Sequence, residues 1–335
     1  MMGVRVIAAV SALVLAGTTA FGCGGSSPPV TDLVIATGGN GGVYHALGDA
    51  YAAAARDRWS AKVEVLTTAA SVENLRLLAE GRADVAFATV DSAALAVNGA
   101  APFSRALPIV ALAGLYDDYL QIVASADGPI RKIGDLLRRR VSTGSAGSGT
   151  EIVAARVLAA ARIDVDRGIA RSRLSAAQSA EALRKGEIDA FFFTGGLPTP
   201  AIADLARTTR IRILSVGDLV GDLQREYGDV YLPRSIPTTI YGLGEEVSTV
   251  GIPNVLVVRA DMSSAKAKAL TALLFESKPT LVAAHAEARR LDRRSALATF
   301  PVPLHSGAAQ YYRESKVLGA GHGPRTPLIT TSAPL

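Results

Sequence analysis

Short apolar segments alternate along the chain with stretches in which leucine and alanine recur at helical spacing. Residues 33–36, 62–67 and 84–89 have the length and the β-branched content of buried or half-buried strands. The intervening stretches predict helices at 46–58, at 71–78 and from 92 onwards. Repeated strand–helix–strand units are typical of a parallel sheet that is covered by helices on both faces.

The first predicted strand ends in a glycine-rich loop, with four glycines among residues 38–42. Glycine lets a ligand approach backbone N–H groups closely, and the next helix adds unpaired N–H groups and the positive end of its dipole. The loop therefore predicts an anion site, and a plain tight turn is the alternative. Nucleotide binding is disfavoured, because Tyr44 stands where a dinucleotide fingerprint starting at Gly39 needs its last glycine. A P-loop lysine is missing as well, and we expect no cofactor.

Two further loops follow predicted strands in the same part of the chain. One contains Ser71 and Asn74, and the other contains Asp91. Ligands of open parallel sheets bind outside the carboxyl ends of the strands, so these loops and the glycine loop are expected to converge on one crevice. A helix-capping role is the alternative for each of the three residues.

The pattern restarts after Tyr116 and predicts a second sheet with an anion site of its own. Predicted strands at 120–124 and 141–143 precede a loop of glycine and serine at 144–151, and a helix follows at 152–161. Ser148 or Thr150 would cap that helix, leaving N–H groups and hydroxyls for a carboxylate. A later apolar strand ends at Phe193, Gly195 and Gly196, where the alternative for the phenylalanine is a place in the core. We also predict an earlier strand at 109–115. After the strand that ends at Gly196, we predict strands at 211–216 and 249–259, a polar segment at 217–244 and helices within 264–290.

The N-terminus predicts export. Arg5 precedes an apolar run at 6–16 that is too short to span a bilayer and has the length of the hydrophobic part of a signal peptide. Cys23, the only cysteine, stands where a bacterial lipoprotein signal places its acylated residue. We therefore predict a signal peptide at 1–22, a lipid-modified Cys23 and a flexible tether at 23–30.

Residues 20–22 depart from the leucine-containing pattern that usually precedes such a cysteine. Cleavage by ordinary signal peptidase after Ala20 or Gly22 and a retained anchor are the alternatives. The expected location is the extracytoplasmic face of the cell membrane, with the protein attached to the membrane surface through its lipid.

Composition and charge narrow the range of functions. The 335 residues suffice for two domains, and the net charge of +5 is modest. The basic run 138–140 lacks interleaved aromatic residues, so we expect no nucleic-acid partner. The chain has no G-x-S-x-G motif, and its four histidines lack the spacing of metal ligands. We therefore predict no catalytic residues, no metal site and no enzymatic activity.

Several of these segments together resemble the TAXI family, the extracytoplasmic solute receptors of TRAP transporters. The similarity runs in order from about residue 31 to about residue 316 and rests on GGNGGVY at 38–44, ASVENL at 70–75, GSGTE at 147–151, DAFFF at 189–193, TVGIPN at 249–254 and LHSGA at 304–308. His45 and Ser306 depart from the family pattern. They stand where a second aromatic residue and a proline are common, and they put ligand choice and turn geometry in doubt rather than the fold.

The resemblance implies an α/β protein with the type II periplasmic-binding-protein fold, in which two α/β lobes enclose a ligand cleft. One lobe would comprise 31–118 plus 250–325, and the other 119–249. The implied function is capture of a small organic anion, such as a glutamate-like amino acid or another carboxylate, and its delivery by a monomeric receptor to TRAP membrane subunits. An ABC permease or a membrane sensor kinase is the alternative partner. The expected ligand-binding residues are Gly41, Gly42, Val43, Tyr44, Ser71, Asn74, Asp91, Ser145, Ser148, Gly149, Thr150, Phe193, Gly195 and Gly196.

Overall fold

The computed structural model describes residues 29–319. The predicted signal peptide and Cys23 lie outside the described residues, so the predictions for them stay predictions. Over residues 29–319, none of the helices has both the length and the apolar character that a bilayer crossing requires.

The chain alternates strands and helices throughout. The strands are β1 Asp32–Ala36, β2 Lys62–Leu66, β3 Val85–Thr89, β4 Ile109–Ser125, β5 Arg140–Ser142, β6 Ala170–Ser172, β7 Ala190–Gly195, β8 Ile211–Ile213, β9 Leu232–Ile236 and β10 Val247–Arg259. The α-helices are α1 Val43–Trp59, α2 Ser71–Ala79, α3 Val90–Asn98, α4 Gly149–Ala160, α5 Ala176–Arg184, α6 Pro200–Thr208, α7 Val220–Tyr227, α8 Ser264–Glu276, α9 Lys278–Ala284 and α10 Ser306–Gly319. Short 3-10 helices occupy Ile133–Leu136, Gly217–Leu219, Ala286–Arg290 and Ser295–Leu297.

Two long strands join two similar halves of the sheet. The first half has the order β2-β1-β3-β10-β4, and the second half has the order β6-β5-β7-β4-β8. In each half, the fourth strand of the order arrives from the other half and runs antiparallel to both of its neighbours. We call the elements around β1–β3, with α1–α3 and α8–α10, the first lobe, and the elements around β5–β8, with α4–α7, the second lobe.

The crossing strands correct the sequence-based prediction of two separate sheets. The stretch 109–125 is one strand of 17 residues, whereas the sequence predicted a break between 115 and 120. The pair Asp117 and Asp118 interrupts the apolar pattern there, but both residues keep ladder partners on β10. The predicted lobe boundaries at 118/119 and 249/250 fall inside β4 and β10 and stay a prediction.

Other differences concern helix starts and short elements. α1 and α4 begin three residues earlier than predicted, at Val43 and Gly149, because the glycine loops continue directly into the first helical turn. The polar segment 217–244 contains α7 and β9. The predicted helical region 264–290 is divided, since Pro279 near the start of α9 lacks an N–H for a continued helix.

Each lobe has its own apolar core on the faces of its half-sheet. In the first lobe, α1 packs against β3 and α8, and the buried Tyr51 hydroxyl donates to the Leu270 carbonyl at 2.7 Å. In the second lobe, α4 and α7 pack on β4 and β7 around Phe192 and Tyr231. The two cores touch where Ile152 and Val230 pack against first-lobe residues, and elsewhere the strand ends between the lobes are left to form a cleft.

We expect Gly307→Ala to destabilise the protein by about 2–3 kcal/mol. A Cβ at this second residue of α10 would lie 2.2 Å from the Ser264 carbonyl oxygen and 2.9 Å from the Lys268 nitrogen of α8, and backbone atoms cannot rotate away. Urea denaturation measures the free energy of unfolding. Gly221→Ala is the matched control, because Gly221 is the second residue of α7 and a Cβ there meets no atom within 4 Å. Equal stabilities of the two variants would contradict the close packing of α8 on α10.

Candidate ligand-binding cleft

A cavity of about 370 Å³ lies between the two lobes. Both lobes contribute to its lining, through the first glycine loop, the start of α2, the second glycine loop, the start of α5 and the end of β7. The structure therefore brings ten of the sequence-predicted residues together around one space: Gly42, Val43, Tyr44, Ser71, Ser145, Ser148, Gly149, Thr150, Phe193 and Gly195.

Four helices begin at the cavity, two from each lobe. The first turns of α1 and α2 line it from the first lobe, and those of α4 and α5 line it from the second lobe. The leading N–H groups of a helix have no intrahelical partner, and the dipole makes that end positive. The described lining contains no lysine, arginine or histidine side chain. Any anion held there would be bound by backbone N–H groups and hydroxyls.

The hydroxyl groups of the lining also fix the loops in place. Ser148 caps α4 by accepting the Glu151 N–H at 3.1 Å. The Thr150 hydroxyl accepts the Thr194 N–H at 3.1 Å and ties α4 to β7. Ser71 accepts the Thr89 N–H at 3.1 Å and ties α2 to β3. The starts of α2 and α4 are thus attached to the end of a strand of their own lobe.

We expect Ser148→Ala to lower the free energy of unfolding by about 1 kcal/mol, the usual cost of removing an N-cap hydroxyl. Chemical denaturation is the measurement. The control is Ser172→Ala, because the buried Ser172 hydroxyl has no hydrogen-bond partner in the described structure. An alanine there should leave stability unchanged or raise it slightly. A Ser148→Ala protein as stable as the control would contradict the capping role.

Asp118 and Tyr116 on β4 add a carboxyl group and a phenol hydroxyl to a lining that otherwise consists mainly of helix starts and small hydroxyl side chains. Both side chains line it and are buried, with exposed fractions of 4% and 5%. Asp118 Oδ1 and the Tyr116 hydroxyl have no hydrogen-bond partner within residues 29–319. Burial raises the pKa of Asp118 to about 8, and the neighbouring carboxylates add to the rise. These two oxygens are therefore available for hydrogen bonds to a ligand.

Asn254 on β10 supports this part of the lining. Its side-chain oxygen accepts the Tyr44 hydroxyl, and its amide nitrogen donates to the Tyr116 carbonyl at 3.2 Å. The Tyr44 ring stacks on Phe87 at 5.3 Å between centroids, and burial raises the pKa of its hydroxyl well above the usual value. Tyr44 therefore presents a fixed, neutral aromatic side chain to the cavity.

Four predicted site residues lie outside the cavity lining. Asn74 is fully buried and donates to the carbonyls of Thr37 and Phe87, which connects the ends of β1 and β3 to α2. Gly41 has φ +78° and shapes the turn before α1. A Cβ on Gly196 would meet Glu287 at 2.7 Å and Val43 at 3.0 Å, so this glycine allows close packing behind the lining.

Asp91 is the fourth of these residues, and it bridges the lobes away from the cavity. Its side chain is fully buried in the first lobe and accepts the Tyr231 hydroxyl of the second lobe at 2.8 Å. Arg156 of α4 lies 3.6 Å from the same carboxylate and donates to the Tyr231 hydroxyl at 2.7 Å. The alternative, a capping role, is wrong, because α3 begins at Val90 and Asp91 lies within its first turn.

The lobes are in contact at two more places around the cavity. The Glu73 N–H of α2 donates to the Gly147 carbonyl of the second glycine loop at 3.1 Å. On another side, the Leu197 N–H donates to the buried carboxylate of Glu287 at 3.1 Å. These contacts and the Asp91 bridge hold the cleft in a closed arrangement.

Sequence reasoning missed the polar part of the lining and the start of α5. The signal for Asp118 is a charged residue inside an otherwise apolar strand, and such a residue is informative when the strand is buried. The signal for α5 is a capping box, in which Ser175 and Gln178 bond each other's backbone N–H groups. Across residues 29–319, no cluster of three or more histidine, cysteine or acidic side chains is placed to hold a metal ion.

The architecture is the type II periplasmic-binding-protein fold, with two α/β lobes and a cleft between them, so the predicted fold class is confirmed. A periplasmic transporter of known structure is 12% identical, with 86% of this chain and 93% of that chain covered and a TM-score of 0.53. A protein of Bordetella bronchiseptica RB50 is 16% identical over 86% of this chain and 99% of that one, with a TM-score of 0.54. The periplasmic aliphatic sulphonate binding protein SsuA from Escherichia coli is 16% identical, with 87% of this chain and 92% of that chain covered and a TM-score of 0.45.

Residues 35–315 match the NMT1-like family, and the chain belongs to it. The match spans both lobes and every residue that lines the cavity. The match does not confirm the resemblance to TAXI receptors, and the TRAP partner therefore enters only as a proposal.

Proposed function

We propose that this protein is an extracytoplasmic solute-binding receptor that captures a small organic anion between its lobes and has no chemistry of its own. The observation that carries the proposal is the convergence of four helix N-termini, two from each lobe, on one cavity. Helix N-termini bind carboxylates and phosphates through free N–H groups and the helix dipole. A site built from both lobes binds its ligand most tightly when the lobes are closed around it.

The size and lining of the cavity favour a small carboxylate. A volume of about 370 Å³ is at the lower end of the range of small-molecule sites. The serine and threonine hydroxyls add hydrogen-bond donors, and Tyr44 and Phe193 supply apolar faces for a short carbon chain. A glutamate-like amino acid or another short carboxylate combines these features.

Delivery to a membrane permease completes the proposal. Closing of the lobes around a solute would change the surface that a permease recognises, as in other hinge-closing binding proteins. The resemblance to TAXI receptors favours TRAP membrane subunits as the partner. An ABC permease is the second candidate, because the fold alone does not determine the partner. Reconstitution of uptake in vesicles with each class of permease would distinguish the two. Lipid attachment at Cys23 would keep the receptor at the membrane.

A thermal-shift screen tests solute binding directly. The purified protein is heated with amino acids, dicarboxylates, keto acids and phosphate compounds in turn. A ligand at about 100 times its dissociation constant stabilises the native state by about 2.7 kcal/mol, which gives a clear shift of the melting temperature. Absence of a shift with every compound, combined with absence of a small molecule extracted from the purified protein, would contradict the receptor function.

A further inference from the structure

The cavity presents two opposite kinds of partner to a ligand. The helix starts offer N–H groups and hydroxyls, whereas β4 offers the Asp118 carboxyl and the Tyr116 hydroxyl. A ligand with only carboxylate groups would satisfy the first set, but it could approach β4 only while the Asp118 carboxyl stays protonated. We propose, on the basis of the proposed receptor function, that the ligand is an amino acid whose ammonium group binds Asp118 Oδ1 and the Tyr116 hydroxyl while its carboxylate binds the helix N-termini.

The burial of these two groups is the first support for an ammonium site. Asp118 and Tyr116 are more than nine-tenths buried, and each has an oxygen without a hydrogen-bond partner in the described part of the protein. An unpaired buried polar atom costs about 1–3 kcal/mol, and a buried charged group costs more. An ammonium group has three N–H donors and a positive charge, so one ligand group satisfies both oxygens.

The charges around Asp118 are the second support. The charged groups that act on Asp118 are the carboxylates of Glu287, Asp117 and Asp91. The nearby arginines are already engaged: Arg234 Nε lies 3.0 Å from an Asp117 oxygen, and Arg290 Nε lies 2.8 Å from a Glu287 oxygen. The remaining titratable neighbours are the phenols of Tyr44 and Tyr116, which burial keeps neutral. Each of these carboxylates thus has an arginine of its own, with Arg156 beside Asp91, and none of these arginines is left to pair with Asp118. A ligand cation is the complement.

The pKa of Asp118 gives the proposal a distinctive pH dependence. In the closed arrangement without a ligand, burial raises this pKa to about 8, so the carboxyl is mostly protonated at pH 6. An ammonium group binds the ionised form, and binding must therefore release the proton of Asp118. Affinity for an amino acid should rise about tenfold for each pH unit between pH 6 and pH 8 and level off above pH 8.

The test is calorimetry on the full chain with matched pairs of ligands. Glutamate, aspartate and other amino acids are each compared with the analogue in which hydrogen or a keto oxygen replaces the amino group, at pH 6, 7 and 8. We expect each bound amino acid to exceed its analogue by at least about 100-fold in affinity, and we expect proton release at pH 6–7, read from buffers of different ionisation enthalpy. Asp118→Asn should lose at least about 100-fold in amino-acid affinity. Asp204→Asn, which changes an exposed carboxylate of α6 outside the cavity lining, is the control and should change it by less than about threefold.

Two other outcomes separate this proposal from the receptor function. If the protein binds dicarboxylates or keto acids more tightly than amino acids, with affinity constant below pH 8 and falling above it, Asp118 acts as a protonated donor. The ammonium site is then wrong and the receptor function stands. If no amino acid and no analogue binds at any pH, the ammonium site is wrong, and the thermal-shift screen and the extraction of bound molecules decide the receptor function separately.

Discussion

Gly149→Val should reduce ligand affinity at least about 100-fold and leave the melting temperature of the ligand-free protein almost unchanged. Gly149 is the first residue of α4 in the second lobe, and it faces α2 and β3 of the first lobe. A Cβ at this position would lie 2.8 Å from the Ser71 hydroxyl oxygen and 2.9 Å from that of Thr89. Both partners are buried and hydrogen-bonded, so they cannot move aside cheaply.

The clash exists only when the lobes touch, and this explains why affinity and stability should respond differently. Gly149 belongs to neither apolar core, so an added side chain there should disturb neither of them when the cleft is open, although Ile152 of the same helix packs against the first-lobe core in the closed arrangement. In the closed arrangement, the same side chain holds α4 away from Ser71 and separates the two sets of N–H groups that would bind one anion. A loss of about 100-fold corresponds to about 2.7 kcal/mol, within the usual range for overpacking.

Calorimetric titration and solution X-ray scattering together test this prediction. With saturating ligand, Gly149→Val should keep a larger radius of gyration than the unmodified protein, and this result distinguishes blocked closure from a filled cavity. Gly149→Ala should give a smaller loss of affinity, since it adds only the Cβ. Gly134→Val is the control, because Gly134 is an exposed residue of the second lobe with no atom within 4 Å of its Cβ position. Unchanged affinity and compactness of Gly149→Val would show that closure does not bring α4 onto Ser71.

The sequence predicted the loops and helices that form the site better than the side chains that would select a ligand. The glycine loops and the apolar strands before them are local features of the sequence. They predicted three of the four helices that begin at the cavity, α1, α2 and α4, whereas the start of α5 was missed. α1 and α4 begin at Val43 and Gly149, earlier than predicted, because a glycine-rich loop has no apolar periodicity that would indicate the first helical turn. Side chains such as Ser148 were found because capping depends on neighbours along the chain.

Long-range features were not predictable in the same way. Asp118 interrupts an apolar strand and therefore indicated a break, whereas the ladder to β10 continues through it. The residues that contact Asp91 are Arg156 on α4 and Tyr231 just before β9, and both lie far along the chain. No neighbour in the sequence therefore indicated a role other than capping or ligand binding. Asn74 lies one turn inside α2, and only the tertiary structure shows that it bonds the ends of β1 and β3 instead of a ligand.

The second large effect is expected from Arg156→Met, which should weaken ligand binding by about two orders of magnitude. In the closed arrangement, Arg156 is the cation nearest the fully buried Asp91 carboxylate, and its guanidinium also stacks 4.4 Å from the Tyr227 ring centroid. Removing one partner of a buried ion pair costs about 3–5 kcal/mol, because the other charge stays buried. Asp91 and Arg156 belong to different lobes, so opening the cleft returns the carboxylate to water and avoids this cost. The penalty should therefore appear as lost affinity and only slightly as lost stability.

A double-mutant cycle makes this argument quantitative. Asp91→Asn together with Arg156→Met removes the charge that Arg156→Met leaves behind. The amide oxygen can still accept one of the two hydrogen bonds that Asp91 accepts from the Tyr231 hydroxyl and the Ser92 N–H, so affinity should recover to within about tenfold of the unmodified protein. Arg225→Met, which removes an exposed arginine paired with Asp222 on α7, is the control and should leave affinity unchanged. If Arg156→Met instead lowers the unfolding free energy of the ligand-free protein by the full 3–5 kcal/mol, about the penalty for a buried pair, and keeps its affinity, the pair is closed in both states. The bridge would then belong to a rigid interface between the lobes, and ligand capture would have to proceed without a hinge motion at this side of the cleft.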